Sequence, residues 1–146
     1  MLVNRLLSEA RKRLVTIADG APLIEVARLL RAGTDIVVVC DASGVLTGVV
    51  TKTDVVGRIS QCQGASCVTA ASLVMTQDVL TCHPGDWLHD IWSTMKSREL
   101  KNIPVIDERS RPIGVLNARD ALQALLEEVE NEESLLRDYV KCIGYR

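Results

Sequence analysis

The sequence predicts an α+β protein: two β-α-β-β-α repeats packed with pseudo-two-fold symmetry, flanked by N- and C-terminal helices. Two observations predict it. The stretch Gly48-Val49-Val50-Thr51-Lys52-Thr53-Asp54 returns 66 residues later as Gly114-Val115-Leu116-Asn117-Ala118-Arg119-Asp120. The elements around each copy recur in the same order, at an offset of 65 or 66. Self-similarity at a fixed period marks a repeated supersecondary unit. Each half is too short to bury a sufficient core alone. The two sheets are therefore expected to pack against each other and leave a cleft between them.

Each element has a local reason. Residues 1–13 place Leu2, Leu6 and Leu7 on one side of a short amphipathic helix, with charges elsewhere. Leu14 to Ile17 is a short strand and Asp19-Gly20 a turn. Pro22 opens a helix with Leu23, Val26, Ala27 and Leu30 on one face, and Ala32-Gly33 ends it. Ile36–Cys40 is a continuous, mostly β-branched strand, Asp41-Ala42-Ser43-Gly44 a hairpin turn, Leu46–Thr51 the next strand, and Asp54 to Ser60 a helix. The order then repeats. Val79–Cys82 matches the first strand, and Leu88, Ile91, Trp92 and Met95 face inward from a helix. Ile103–Ile106 and Ile113–Leu116 form the second hairpin, with one residue inserted between Lys96 and Lys101. Asp120 opens a final helix that runs to about Val140. Gln61–Ala70 is aperiodic and contains Gly64 and Ser66, so it is expected to be a mobile linker. The expected units are an N-terminal helix (1–13), repeat 1 (14–61), a linker (62–71), repeat 2 (72–126) and a C-terminal helix and tail (127–146).

Composition narrows the function. Apolar residues are 47 % of the 146, enough for a core, and with no Phe that core must be aliphatic. A net charge of −2 argues against non-specific nucleic-acid binding, which needs a basic face. No run approaches the 18 uncharged apolar residues of a membrane span. The charged N-terminus lacks the apolar core of a signal peptide. The five cysteines are odd in number and form no Cys-x-x-Cys, which suits free thiols in a cytoplasmic protein. A zinc site from Cys62, Cys67 and His83 or His89 matches no closed four-ligand spacing. Neither histidine is placed beside a serine or carboxylate of another element, so no catalytic residue is expected and the chain is read as no enzyme. Trp87 and Trp92 read as core or interface aromatics, and Arg11-Lys12-Arg13 as a solvated helix end.

The duplicated turns carry the functional signal. Each reads as a buried strand that turns straight into a helix. Thr51 or Asn117 can cap that helix, and an acidic residue follows three positions later. Such a pattern is a capping box, which needs no ligand. The same turn offers unpaired N–H groups and a helix dipole to a phosphate. Its carboxylate can accept two bonds from the hydroxyls of a ribose.

These residues resemble the cystathionine-β-synthase (CBS) domain family in its tandem form, the Bateman module. The likeness rests on Gly48-Val-Val-Thr-x-x-Asp54 and its second copy to Asp120, on Ile103-Pro104-Val105-Ile106-Asp107, and on Leu73-Val74-Met75-Thr76 before the second repeat. The resemblance implies an adenosine-containing ligand in the inter-repeat cleft: AMP, ADP, ATP, NAD(H) or S-adenosylmethionine. It implies no required cofactor, a homodimer shaped as a flat disc, and regulatory signalling to an unidentified effector protein. The ligand-binding positions it implies are Thr16, Val37, Val38, Thr51, Thr53 and Asp54 in the first repeat. In the second they are Thr81, Lys101, Asn102, Pro104, Asn117, Arg119 and Asp120. Two departures stand out: Val38 aligns with Pro104, and Asn117 replaces the family's usual Ser or Thr. Arg119, Arg98 and Lys101 near the second turn lead us to expect the tighter AMP site at Asp120. The alternative is a structural or interaction dimer of the same fold with no physiological ligand.

Overall fold

The computed structural model describes residues 1–61 and 68–144. A short 3-10 helix (Val3–Leu6) runs into α1 (Leu7–Arg13). Then come β1 (Thr16–Ala18), α2 (Leu23–Leu29), β2 (Ile36–Cys40), β3 (Leu46–Thr51) and α3 (Lys52–Ser60). The second half has α4 (Ala71–Val74), α5 (Leu88–Ser97), β4 (Asn102–Ile106), β5 (Pro112–Asn117) and the 27-residue α6 (Ala118–Gly144). Both expected hairpins form. β2 pairs antiparallel with β3, and β4 with β5, in registers that match residue for residue at an offset of 66. Asp41 and Asp107 each accept two backbone N–H bonds through Oδ1 and so shape equivalent turns.

Alternation along β2 explains how the halves join, since successive side chains point to opposite faces. Val37 and Val39 enter a first core with Leu23, Val26, Val50 and Val55. Ile36 and Val38 turn the other way and meet Val49 and Val115 in a cluster shared by both repeats. The second repeat has its own core around Cys82, Leu88, Met95, Ile103, Val105 and Leu116.

The strand expected at Val79–Cys82 shrinks to one parallel bridge, between Cys82 and Val105. Prolines explain it. In repeat 1, Val38 donates its N–H to Val15 at 2.8 Å and Asp19 donates to Cys40 at 2.9 Å. Their counterparts are Pro104 and Pro84, which have no N–H to give. What survives is the pair that needs no N–H from either proline: Cys82 donates to the Pro104 carbonyl and Ile106 donates to Cys82.

The two lead-in segments are crossed, and their equivalence is not obvious from the sequence. Residues 1–4 bond the second repeat: Leu88 donates to Met1, Val3 to Asp86 and Asn4 to Pro84. Residues 69–72 make the same three bonds on the first: Leu23 donates to Thr69, Ala71 to Ala21 and Ser72 to Asp19. Val3 and Ala71 are both fully buried. The expected mobile linker falls largely on residues 62–67, outside the described residues. Thr69 and Ala70, at its end, are held by these bonds and by a bridge to Pro22.

Candidate functional site

A cavity of about 490 Å³ lies between the repeats. One wall is the end of β2, the β3–α3 turn and their approach: Asp35, Ile36, Val49, Thr51, Lys52, Thr53 and Asp54. The second lead-in supplies Thr76, Asp78, Val79 and Leu80. The approach to β4 supplies Glu99, Leu100, Lys101, Asn102 and Pro104. Glu99 holds a left-handed φ of 55°, where its counterpart at the end of α2 is Gly33 at 91°. That conformation costs a non-glycine residue on the order of 1–2 kcal/mol.

The first turn is a complete capping box. Asp54 Oδ2 accepts the Thr51 N–H at 2.9 Å and the Thr51 hydroxyl at 3.1 Å, while the Asp54 N–H donates to Thr51 Oγ1. Asp54 Oδ1 has one long bond, from the Thr76 hydroxyl at 3.4 Å, and is the oxygen left for a ligand hydroxyl. Four carboxylates line the cavity (Asp35, Asp54, Asp78, Glu99) against two ammonium groups, Lys52 and Lys101, so it carries a net charge of 2 − 4 = −2. Lys52 also stands 3.7 Å from Asp35.

The second turn is built differently. Asn117 Oδ1 accepts the Arg119 N–H at 2.9 Å, and Asn117 Nδ2 donates to Asn102 Oδ1 at 3.0 Å. Asp120 is taken by Arg13 of α1. Nε donates to Oδ2 at 2.6 Å and Nη2 to Oδ1 at 3.1 Å. The Asp120 hydrogen bonds, outweighing partial burial, raise the pKa of Arg13. Arg13 is thus no freely solvated helix end, unlike Lys12, which is exposed and pairs with Glu9 of its own helix.

The structure brings Thr51, Thr53, Asp54, Lys101, Asn102 and Pro104 into one cavity lining. Val38 is buried in the shared cluster beside it. The Val37 side chain is buried in the first core, because β-alternation gives the cleft face to Ile36 and Val38. Thr16 is exposed on β1 opposite Val38, and Thr81 is half-buried after Leu80. Asn117, Arg119 and Asp120 are absent from the cavity lining. The advantage expected of Asp120 does not follow from this geometry, since its carboxylate already holds a guanidinium and Arg119 is exposed. Sequence reasoning missed Arg13, Asp35, Thr76, Asp78 and Glu99. For Thr76 a signal existed, in the lead-in that ends Leu73-Val74-Met75-Thr76.

The zinc candidates Cys62 and Cys67 lie outside the described residues. Among the described residues, no group of three or more His, Cys, Asp or Glu could hold a metal ion. No helix among them is long and apolar enough to cross a membrane.

The CBS domain family matches residues 6–61 and 70–127. The chain belongs to the CBS domain family. It is a tandem CBS pair, and solved CBS structures share its fold. A CBS-domain containing protein from Agrobacterium tumefaciens aligns with a TM-score of 0.72 and 27 % identity, over 84 % of this chain and 92 % of that one. The CBS domain pair of protein MJ0100, solved in complex with 5′-methylthioadenosine and S-adenosyl-L-methionine, aligns with a TM-score of 0.70 and 22 % identity, over 88 % and 97 %. A homoserine O-acetyltransferase of Methanococcoides burtonii is 31 % identical over 111 residues, which are 75 % of this chain. The chain spans only 22 % of that curated relative, so the match is no evidence of that activity here.

Proposed function

We propose that this CBS pair is a regulatory module that binds one adenosine-containing ligand on the Asp54 side of the cleft and signals its presence to a partner protein. The observation that carries the proposal is the 490 Å³ cavity, which joins the Thr51–Asp54 turn to Lys101, Asn102 and Pro104 of the other repeat. A ligand there touches both halves, so its binding energy depends on how they sit together. Asp54 is assigned to the ribose hydroxyls, and Ile36, Val49, Val79 and Pro104 offer apolar surface to the base. The net charge of −2 opposes a triphosphate and supports a ligand with at most one phosphate, or with a cationic group. The complex of MJ0100 with 5′-methylthioadenosine and S-adenosyl-L-methionine supports the same ligand class.

The complete capping box favours the second reading, a structural dimer with an empty cleft, because Asp54 already has work as a helix cap. A thermal-shift screen separates the two. A ligand at 100 times its Kd raises stability by about 2.7 kcal/mol. The proposal expects shifts with AMP, 5′-methylthioadenosine or S-adenosylmethionine that exceed that of ATP. No shift with any of them leaves the structural reading.

We also propose that the chain works as a homodimer. α6 carries Leu122, Leu126, Val129, Leu135, Leu136, Tyr139 and Val140 exposed along its length. The first three join Met1, His89 and Trp92 around a groove of about 400 Å³. An apolar surface of this extent on a helix marks an interaction site. The free thiols Cys40 and Cys82 support a reducing, cytoplasmic setting.

A further inference from the structure

We infer that Arg13 latches the second of the two duplicated turns, so that each chain binds a single ligand although it carries two copies of the motif. This rests on the ligand-binding proposal above and deepens it. Asp54 and Asp120 occupy equivalent places, each three residues into a strand-to-helix turn. Around Asp54 the neighbours are the hydroxyls of Thr51 and Thr76, and the carboxylate lines an open cavity. Around Asp120 the neighbour is a guanidinium that uses both carboxylate oxygens. A ribose diol would need those same oxygens. The bidentate fork of arginine engages both with matched geometry and full charge, where Asp54 has only a backbone N–H and two hydroxyls.

The difference has a source in the chain. The lead-in bonds equate Met1 with Thr69 and Val3 with Ala71, an offset of 68. The strand that follows equates Leu14 with Val79, an offset of 65. The first lead-in is therefore three residues longer. At that offset α4 matches the 3-10 helix Val3–Leu6, so the extra length falls in α1, which runs for seven residues to Arg13 where residues 75–78 form no helix. The added turn ends in Arg11-Lys12-Arg13 and delivers Arg13 to Asp120. In the second lead-in the shorter path leaves Thr76 and Asp78 on the cavity wall instead.

Calorimetry on the full chain with AMP and S-adenosylmethionine tests the latch through stoichiometry, which a merely structural role of Arg13 would not change. At ligand concentrations that just saturate the wild type, wild type is expected to bind one equivalent per chain, and Asp54→Asn to leave that equivalent unfilled. Arg13→Met, which keeps the aliphatic volume, is expected to bind two, and Asp120→Asn in that background to restore one. Arg13→Lys, with a single-point contact, is expected to give a weak second equivalent. Two equivalents in wild type, or one equivalent retained by Asp54→Asn, overturn the latch without any need for the Arg13 variants to fold. One equivalent in folded Arg13→Met, lost with Asp54→Asn, overturns the latch and leaves the Asp54 site standing. No binding by either protein removes the ligand proposal and the latch together.

Discussion

Gly114 of β5 stands so close to Ala10 of α1 that a Cβ there would lie 2.8 Å from the Ala10 Cβ and 3.0 Å from its carbonyl carbon. Gly48 stands in the same relation to the other lead-in, with Met75 Sδ and the Thr76 carbonyl oxygen each 2.7 Å away. The glycine that opens each duplicated motif is there for close approach, and the lead-in that rests on it borders the site. Thr76 lines the cavity, and Arg13 reaches Asp120 from the end of α1.

Gly114→Ala and Gly48→Ala are therefore expected to destabilise the protein by about 1–3 kcal/mol each, the cost of overpacking against Ala10 and the Thr76 backbone, which cannot swing aside as the Met75 side chain can. Denaturant melts check this. Gly20→Ala is the control, because a Cβ there meets nothing within 4 Å.

Ligand chemistry at Asp54 gives a second expectation. A 2′-deoxy ligand loses one hydrogen bond to a charged acceptor, worth about 1.5–3 kcal/mol, or about 10- to 150-fold in affinity. Asp54→Asn should weaken the ribo ligand and narrow its advantage over the deoxy form. Calorimetry with AMP and 2′-deoxy-AMP measures both. Equal affinities for the two nucleotides in the wild type would confine Asp54 to its capping role.

Cys82 makes stability depend on alkaline pH. Burial, with the Asp86 carboxylate second, pushes its thiol from 9.0 up to about 12. Below pH 9 the thiol is protonated in both states and contributes no slope. Between about 9 and 12 the unfolded chain gives up the proton while the folded chain keeps it. The folded state then binds more protons, so stability falls as pH rises, by up to about 1.4 kcal/mol per pH unit. Melts of wild type and Cys82→Ala across this window should diverge, with the flatter profile in the variant. The native thiol should also resist alkylation at pH 8.

The dimer proposal is checked by light scattering at micromolar concentrations. Wild type should return twice the chain mass. Leu126→Glu with Val129→Glu puts two charges on an exposed apolar face and should return the monomer, with the first core unaffected. A wild-type monomer mass at every concentration would exclude the dimer.

The duplicated hairpins were legible because their information is local. Continuous apolar runs, Asp-anchored turns and the Thr51–Asp54 box each lie within a few residues, and β2 and β3 begin and end where those runs and turn residues place them. The identity of the family was legible for the same reason. The Val79–Cys82 strand was misread because its hydrogen bonds depend on Pro104, a residue more than twenty positions away whose missing N–H matters only once the strands are paired. The crossed lead-ins were hidden because their offset of 68 breaks the period that marks the rest. The inequality of the two turns was hidden most deeply. By sequence alone Asp54 and Asp120 are the same residue at the same place in the repeat, the visible differences at Asn117 and Arg119 point towards Asp120 as the tighter site, and Arg13 is one charge in a basic run. Only the tertiary structure carries Arg13 across 107 positions to Asp120, and ion pairing between groups so far apart in the chain has no signature in local composition or periodicity.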